Sequence, residues 1–246
     1  MSRIEVQFLG SGDAFGSGGR LQSCVMVKHE HGRFLIDCGA SGLIGIGRYS
    51  VNPNDINLIL ISHLHGDHCG GIPFFITGSQ LIFRRTEPLL ILGPPGIKEL
   101  MVKAMEAMFP GSSGAQRRFA VEIREFSNRN LELIGGVRFT PFLNLNPHVD
   151  PSYALRTECG GKIIGYSSDT QWTDVLLDVA AADLFIAEAY FYEKRVKGHM
   201  NYTTLMSRYG TTGAKRLVLT HMSPDMLAMR DRVACECADD GKVFIL

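Results

Sequence analysis

Short runs of apolar residues, each followed by glycine or polar residues, divide the chain into segments of strand length. Two runs, at 58–61 and 89–92, are apolar throughout, which is typical of strands buried on both faces. Residues 24–28 and 33–37 flank a turn at 29–32 and predict a hairpin. The same reasoning predicts further strands at 4–9, 120–125, 137–143, 153–157, 162–167, 183–187, 217–220 and 242–246.

Apolar residues at helical spacing predict a helix at 97–109, and helices are also expected at 173–180 and 203–209. Pro224 suits the first turn of a last helix. The strands therefore come in runs separated by helices, without the strict alternation of a doubly wound parallel sheet. Two β-layers covered by helices fit this order. No linker divides residues 1–246, which predicts a single domain.

The balance of charges limits the partners that we expect. Lys and Arg number 25, as do Asp and Glu, so the chain has no formal net charge. Proteins that bind long nucleic acid usually carry a basic excess, so such a partner is disfavoured. No apolar run approaches the roughly 18–20 residues of a membrane helix, and the N-terminal residues lack a signal-peptide core. We therefore expect a soluble, cytoplasmic protein without a membrane partner.

The most informative stretch is SHLHGDH, residues 62–68, which directly follows the apolar run at 58–61. It contains three of the eight histidines of the chain. Alternation along an extended segment directs His63 and His65 to the same side. Gly66 permits a tight turn, after which Asp67 and His68 point back toward them. Imidazole and carboxylate ligands together suit zinc, iron or manganese.

More distant polar residues also follow predicted strands, where a rigid scaffold can bring them together. His148 follows the strand at 137–143, Asp169 follows that at 162–167, and His221 follows that at 217–220. Asp37 is expected behind the histidine-rich loop, where its carboxylate would orient an imidazole. The sequence therefore predicts a metal site where several strands end.

The motif H-x-H-x-D-H, followed in order by the three more distant residues, resembles the signature of the metallo-β-lactamase superfamily of metal-dependent hydrolases. The resemblance implies an α/β fold, the four-layer αββα sandwich, with the active site at one edge of two sheets. It also implies two divalent metal ions, with zinc favoured and manganese or iron as alternatives. The implied ligands are His63, His65 and His148 for the first ion, and Asp67, His68 and His221 for the second, with Asp169 bridging both.

A further segment, AEAY at 187–190 followed by GHMNYT at 198–203, resembles ribonuclease Z and related phosphodiesterases. In that branch the glutamate polarises a histidine near the scissile phosphate. The resemblance therefore implies that Glu188 and His199 are catalytic, together with Asp67. The alternative is that Glu188 is a carboxylate at the end of a helix and that His199 is a surface residue before an N-terminal cap at Asn201 or Thr203.

The chain departs from ribonuclease Z between His148 and Asp169, where that enzyme would carry its tRNA-binding arm. Only about 20 residues separate the two positions, and two short predicted strands fill them. The expected function is therefore hydrolysis of a small or cyclic phosphodiester by a hydroxide that bridges the two metal ions.

Several alternatives stay open. They are a tRNA 3′-processing activity and a thioester or lactone hydrolase on the same metals, while a non-catalytic binding protein is disfavoured. Relatives suggest a homodimer. The short basic runs at 84–85 and 194–197 either recruit an anionic substrate or form solvated faces.

Overall fold

A computed structural model describes residues 3–144 and 151–246 of the protein. The strands in this part of the chain are β1 (Glu5–Gly10), β2 (Cys24–His29), β3 (Gly32–Ile36), β4 (Ile56–Leu60), β5 (Leu89–Gly93), β6 (Val121–Glu125), β7 (Glu132–Ile134), β8 (Val137–Leu143), β9 (Tyr153–Cys159), β10 (Lys162–Tyr166), β11 (Leu184–Glu188), β12 (Leu217–Thr220), β13 (Glu236–Cys237) and β14 (Val243–Ile245). The α-helices are α1 (Gly42–Arg48), α2 (Gly66–Cys69), α3 (Ile72–Leu81), α4 (Ile97–Met108), α5 (Val175–Ala180), α6 (Tyr202–Tyr209) and α7 (Pro224–Ala228).

The strands form two seven-stranded sheets. The order in the first sheet is β14-β1-β2-β3-β4-β5-β6, and in the second it is β13-β12-β11-β10-β9-β8-β7. Strands β3 to β6 run parallel, as do β10 to β13, whereas the other pairs are antiparallel. Each sheet therefore has a parallel part whose strands end at a common edge.

Three apolar clusters define four layers. The first joins residues of both sheets, such as Phe8 and Phe139, and lies between them. The second packs the other face of the first sheet against α1, α3 and α4, and the third packs the second sheet against α5, α6 and α7. The order of layers is helices, sheet, sheet, helices. This confirms the predicted αββα sandwich.

Alternation along the strands explains why their sequences are apolar without interruption. In β2, Val25 and Val27 face the other sheet, while Cys24 and Met26 face the helices. Side chains on successive residues of a strand point to opposite faces, so a strand buried on both sides needs apolar residues throughout. The apolar run of β4 has the same cause.

Helices α1 and α3 were not predicted from the sequence. Helix α1 contains three glycines, which disfavour a helix in isolation. A Cβ on Gly45 would lie 2.3 Å from the carbonyl oxygen of Leu9, so glycine here permits α1 to approach β1 closely. Helix α3 has no clear polar face, because its sequence IPFFITGSQL is mostly apolar. None of the helices in the described residues is both long and apolar enough to cross a membrane.

Candidate metal centre

The predicted ligands lie where strands of both sheets end. His63 follows β4 of the first sheet, and the short helix α2 behind it contains Asp67 and His68. In the second sheet, Asp169 follows β10 and His221 follows β12. The carboxyl ends of parallel strands meet at one edge of a sheet, which is the general position of ligand sites in α/β folds.

Four of these residues form a compact, buried cluster. One side-chain oxygen or nitrogen of each of Asp67, His68, Asp169 and His221 lies within 4.8 Å of the corresponding atoms of the other three. Nε2 of His68 is 3.2 Å from Oδ2 of Asp67 and 3.4 Å from Oδ1 of Asp169. Nε2 of His221 is 3.2 Å from the same oxygen of Asp67 and 3.5 Å from Oδ2 of Asp169. The structure therefore brings together the residues predicted for the second metal ion and the predicted bridge.

The residues predicted for the first ion lie beside this cluster. Nε2 of His63 is 3.9 Å from Oδ2 of Asp169, and the ring of His63 is 4.0 Å from that of His68. The ring of His65, which is exposed, is 5.0 Å from the ring of His63. His148 lies outside the described residues, so its predicted role stays a prediction.

Hydrogen bonds at Nδ1 hold two imidazoles so that Nε2 faces the cluster. Nδ1 of His68 donates to Oδ2 of Asp37 over 2.7 Å. Nδ1 of His63 lies 3.1 Å from Oγ of Ser62 and 3.2 Å from Oγ of Ser168. Within the described ranges, the buried Nε2 atoms of His63 and His68 have no hydrogen-bond partner, although carboxylate oxygens lie nearby. Buried nitrogens without a partner are costly unless another group binds them, and a cation between imidazole and carboxylate would do so.

The electrostatics of the cluster also favour positive charge. Burial alone would raise the pKa of Asp67 and of Asp169, but the neighbouring imidazoles hold both pKa values well below the usual range. Burial opposes a charge on His221, yet the carboxylates of Asp169 and Asp67 raise its pKa to about 9. Divalent cations would supply this positive charge in place of protons. The donor set and its electrostatics therefore fit one or more divalent metal ions.

Asp37 occupies the centre of a buried hydrogen-bond network behind the cluster. Its Oδ2 accepts from His68, from Oγ of Ser62 over 2.9 Å and from the hydroxyl of Tyr166 over 2.9 Å. Its Oδ1 accepts from the backbone amide of Ser62 over 2.8 Å. The predicted contact between Asp37 and an imidazole is confirmed. The hydrogen bond from the Tyr166 hydroxyl to Asp37 was not predicted from the sequence.

Glu188 and His199 form a pair beside the cluster. Both lie more than 100 positions after the histidine-rich loop at 62–68. Oε1 of Glu188 accepts a hydrogen bond from Nδ1 of His199, and Oε2 accepts from the amides of Thr170 and Met200 over 2.9 and 3.2 Å. Glu188 is buried and is the last residue of β11, so it is not a carboxylate at the end of a helix. The ring of Tyr190 stacks on His199, with 4.6 Å between ring centroids.

These contacts set the charge of the pair. Burial and the charge of Asp169 raise the pKa of Glu188 above its usual value. Burial would lower the pKa of His199, but its hydrogen bond to Glu188 and the charge of that carboxylate raise it instead. Together with Asp169 and His221, the pair also forms a second group of ligand atoms within 4.8 Å of one another. The sequence did not indicate this second grouping.

Three residues of the site adopt the left-handed backbone region although they are not glycine. They are Asp37, Ser168 and His221, with φ of 59°, 56° and 56°. Such conformations cost on the order of 1–3 kcal/mol each and persist only where surrounding contacts impose them. Here they direct the side chains of Asp37 and His221, and the hydroxyl of Ser168, toward the cluster.

Of the basic run at 84–85, Arg84 is exposed, whereas Arg85 serves neither of the roles considered from sequence. Arg85 is buried, with 1% of its surface exposed. Its guanidinium donates to the carbonyls of Pro53, Glu87 and Pro88 and to the side chain of Asn57. Arg85 therefore ties two loops together and does not face solvent or a substrate.

Comparison with known proteins relates the whole chain to hydrolases. Ribonuclease Z of Bacillus cereus is 28% identical over 280 aligned residues, which cover 89% of this chain and 89% of that protein. Because this alignment is longer than the 246 residues of the chain, ribonuclease Z has insertions that this protein lacks. The structure of the short form of human tRNase Z superposes with a TM-score of 0.79, at 25% identity and over 98% of each chain.

A diphosphatase of the PhnP family also superposes with a TM-score of 0.79, at 17% identity and over 98% of this chain and 97% of that one, which shows the shared fold. These findings confirm the predicted resemblance to metallo-β-lactamase fold hydrolases and to ribonuclease Z. The family model described as "Anti-Pycsar protein Apyc1" matches residues 4–244. The chain therefore belongs to the Apyc1 anti-Pycsar family and is a hydrolase of the metallo-β-lactamase fold.

Proposed function

We propose that the protein is a dinuclear metal-dependent phosphodiesterase that hydrolyses a small or cyclic phosphodiester. The observation that carries this proposal is the position of the Glu188–His199 pair beside a buried cluster of carboxylates and imidazoles. A phosphodiester needs both parts, because the phosphoryl oxygens need positive charge and the leaving alkoxide needs a proton.

The proposed ligands are those that the sequence indicated. His63, His65 and His148 would hold one ion, Asp67, His68 and His221 the other, and Asp169 would bridge them. When bound, the cations supply Lewis acidity for a water nucleophile and for the phosphoryl oxygens. We favour zinc as the metal. Manganese and iron are the alternatives, because the same imidazole and carboxylate ligands suit all three.

His199 is suited to donate the proton to the leaving group. Its Nδ1 donates to Glu188, so in the protonated ring Nε2 carries the proton that can be transferred. The raised pKa of His199 keeps this proton in place until the P–O bond breaks. Both carboxylate oxygens of Glu188 already accept hydrogen bonds, which favours a positioning role for Glu188 over metal binding.

The connection before Asp169 supports a small substrate. The described residues from 151 onward form β9 and β10, which are joined by Gly160 and Gly161 and pair antiparallel in register. An inserted arm of the kind that the resemblance to ribonuclease Z implies has no place in this hairpin. Without such an arm, the chain would grip only the part of a substrate close to the metal centre.

The test is a substrate panel with the metal content measured on the same preparation. It contains bis(p-nitrophenyl) phosphate, 2′,3′-cyclic and 3′,5′-cyclic nucleotides, a tRNA precursor, a thioester and a lactone. We expect hydrolysis of the small phosphodiesters with bound metal near two ions per chain. Faster hydrolysis of the thioester or lactone, or of the tRNA precursor, would contradict the proposal.

A further inference from the structure

The ring of His199 depends on its surroundings for its orientation, because His199 lies in the connection between β11 and α6. Its amide donates to the carbonyl of Val196 over 3.3 Å, across a turn in which Gly198 has a φ of 86°. Nδ1 of the ring donates to Oε1 of Glu188, and 24% of the side chain is exposed. A single hydrogen bond lets a ring tilt about the line that joins the two bonded atoms. A second contact is therefore needed to fix the position of Nε2.

Tyr190 provides a second contact through the face of its ring. The rings of Tyr190 and His199 stack with 4.6 Å between centroids and 26° between planes, which is within the range of a favourable aromatic pair. The ring of Phe191 packs edge-on against Tyr190 at 4.8 Å, and the ring of His221 lies 5.7 Å away. The Tyr190 ring is therefore packed against three other rings and limits how far the imidazole of His199 can tilt.

The backbone of Tyr190 is fixed relative to both parts of the site. Its amide donates to the carbonyl of Met200 over 2.9 Å, and its carbonyl accepts from the amide of Ser223 over 3.1 Å. Met200 is the residue after His199, and Ser223 lies two positions after His221. Tyr190 therefore joins the segment with the proposed proton donor to a segment with a predicted metal ligand.

We propose that Tyr190 is a positioning residue, whose ring holds the imidazole of His199 in the orientation from which Nε2 protonates the leaving oxygen. The inference rests on the proposed function, because it takes His199 as the proton donor. Tyr190 acts through His199 and transfers no proton itself. The aromatic face makes the contact, so phenylalanine should replace tyrosine at this position and leucine should not.

The leaving group of the substrate provides the kinetic test. The first substrate is the 2′,3′-cyclic or 3′,5′-cyclic nucleotide that the wild-type protein hydrolyses faster, since both release an alkoxide that needs a proton. The second is bis(p-nitrophenyl) phosphate, whose leaving group needs none. Tyr190→Leu should lower kcat by about 10–100-fold on the cyclic nucleotide, because misplacing a catalytic group by about 1 Å costs up to about 10²-fold. Neither KM on the two substrates nor kcat on the nitrophenyl ester should change by more than about twofold.

Two further variants separate the ring from its surroundings. Tyr190→Phe should retain the wild-type kcat on both substrates, because it keeps the aromatic face. Tyr192→Leu is the matched control, since Tyr192 lies in the same connection but stacks on Tyr202 of α6, with 5.2 Å between centroids. This control should also retain both kcat values. Equal losses in Tyr190→Phe and Tyr190→Leu would overturn the inference, because they would assign the effect to the hydroxyl.

A double-mutant cycle tests whether Tyr190 acts through His199. If it does, His199→Ala/Tyr190→Leu should have the same kcat on the cyclic nucleotide as His199→Ala alone, because the ring that Tyr190 orients is already absent. Losses that multiply would overturn the inference, since they would indicate a separate contact with substrate. A lower metal content in Tyr190→Leu would also overturn it, because the contact of Tyr190 with His221 would then explain the loss.

NMR of histidine-labelled protein provides a measurement that does not depend on turnover. Protons above the face of an aromatic ring are shielded, so the carbon-bound ring protons of His199 should resonate upfield. Their signals are assigned by their loss in His199→Ala. We expect the upfield position in the wild-type protein and in Tyr190→Phe, and a downfield shift in Tyr190→Leu.

The spectra distinguish failure of the inference from failure of the proposed function. Ordinary chemical shifts for these protons in the wild-type protein would overturn the inference, even if Tyr190→Leu does not fold. Upfield signals in a protein that hydrolyses no phosphodiester would instead overturn the proposed function, while the orientation of His199 by Tyr190 would stand.

Discussion

Replacing Asp37 by asparagine tests whether the network behind the metal centre prepares it for cations. Asp37→Asn keeps the shape of the side chain but replaces one oxygen by an amide nitrogen. In the native protein Oδ2 accepts from His68, Ser62 and Tyr166, and Oδ1 accepts from the amide of Ser62. All four contacts need an acceptor, and asparagine offers one acceptor and one donor.

Both orientations of the new amide carry a cost. If its nitrogen replaces Oδ2, Nδ1 of His68 must become an acceptor, so that Nε2 is protonated and no longer binds a cation. If the nitrogen replaces Oδ1, the buried amide of Ser62 loses its partner, which costs about 1–3 kcal/mol. Changes behind metal ligands typically lower metal affinity by about 10–100-fold, which corresponds to about 1.4–2.7 kcal/mol.

Two measurements on the same variant separate these outcomes. Competition with a chromogenic chelator gives the metal affinity, and urea unfolding of the metal-free protein gives the free energy of unfolding. We expect a loss of metal affinity of about 10–100-fold, a loss of about 1–3 kcal/mol in the free energy of unfolding, or both. Tyr166→Phe is the control, because it removes one donor and leaves the carboxylate intact, and we expect it to cost about 1 kcal/mol of stability with little change in metal affinity. The reasoning is refuted if Asp37→Asn matches the wild-type protein in both measurements.

Three further predictions concern the metal centre and the proton donor. His199→Ala should lower kcat by about 10²–10⁴ for diesters with alkyl leaving groups and much less for nitrophenyl esters, whose leaving group needs no proton; equal losses on both would exclude the proposed role. Asp169→Ala should reduce the metal content measured by elemental analysis as well as the rate, and an unchanged stoichiometry would argue against a bridging role. Metal affinity should fall as the pH drops below about 9, because His221, whose pKa is raised to about 9, must lose its proton before it binds a cation. The same affinity at pH 6 and pH 9 would contradict that linkage.

The sequence predicted the part of the site that depends on strand ends. His63, Asp169 and His221 each follow an apolar run, and such runs form buried strands whose ends meet. Their order along the chain and the H-x-H-x-D-H motif identified the fold before any contact was known. Glu188 and His199 were predicted by resemblance alone, and the structure places them in contact.

Other parts of the site depend on contacts that no local pattern encodes. Tyr166 reads as an apolar strand residue, and only the packing of the two sheets brings its hydroxyl to Asp37, 129 positions away. Ser168 reads as a turn residue, yet its hydroxyl contacts His63. Arg85 reads as half of a surface basic pair but is buried among backbone carbonyls. In each case the partner comes from a distant segment, so burial decides the role and the sequence does not report it.

The three left-handed residues of the metal centre imply a trade-off between stability and activity. Glycine adopts that backbone region without strain, so Ser168→Gly should leave the chain as stable or raise its melting temperature. The same change removes one of the two hydroxyls beside Nδ1 of His63, which weakens the contacts that orient this ring toward the cations. Selection for thermal stability alone should therefore favour replacement of Ser168 by glycine. A library of variants screened only for thermal stability should contain glycine at this position, and these variants should bind metal more weakly.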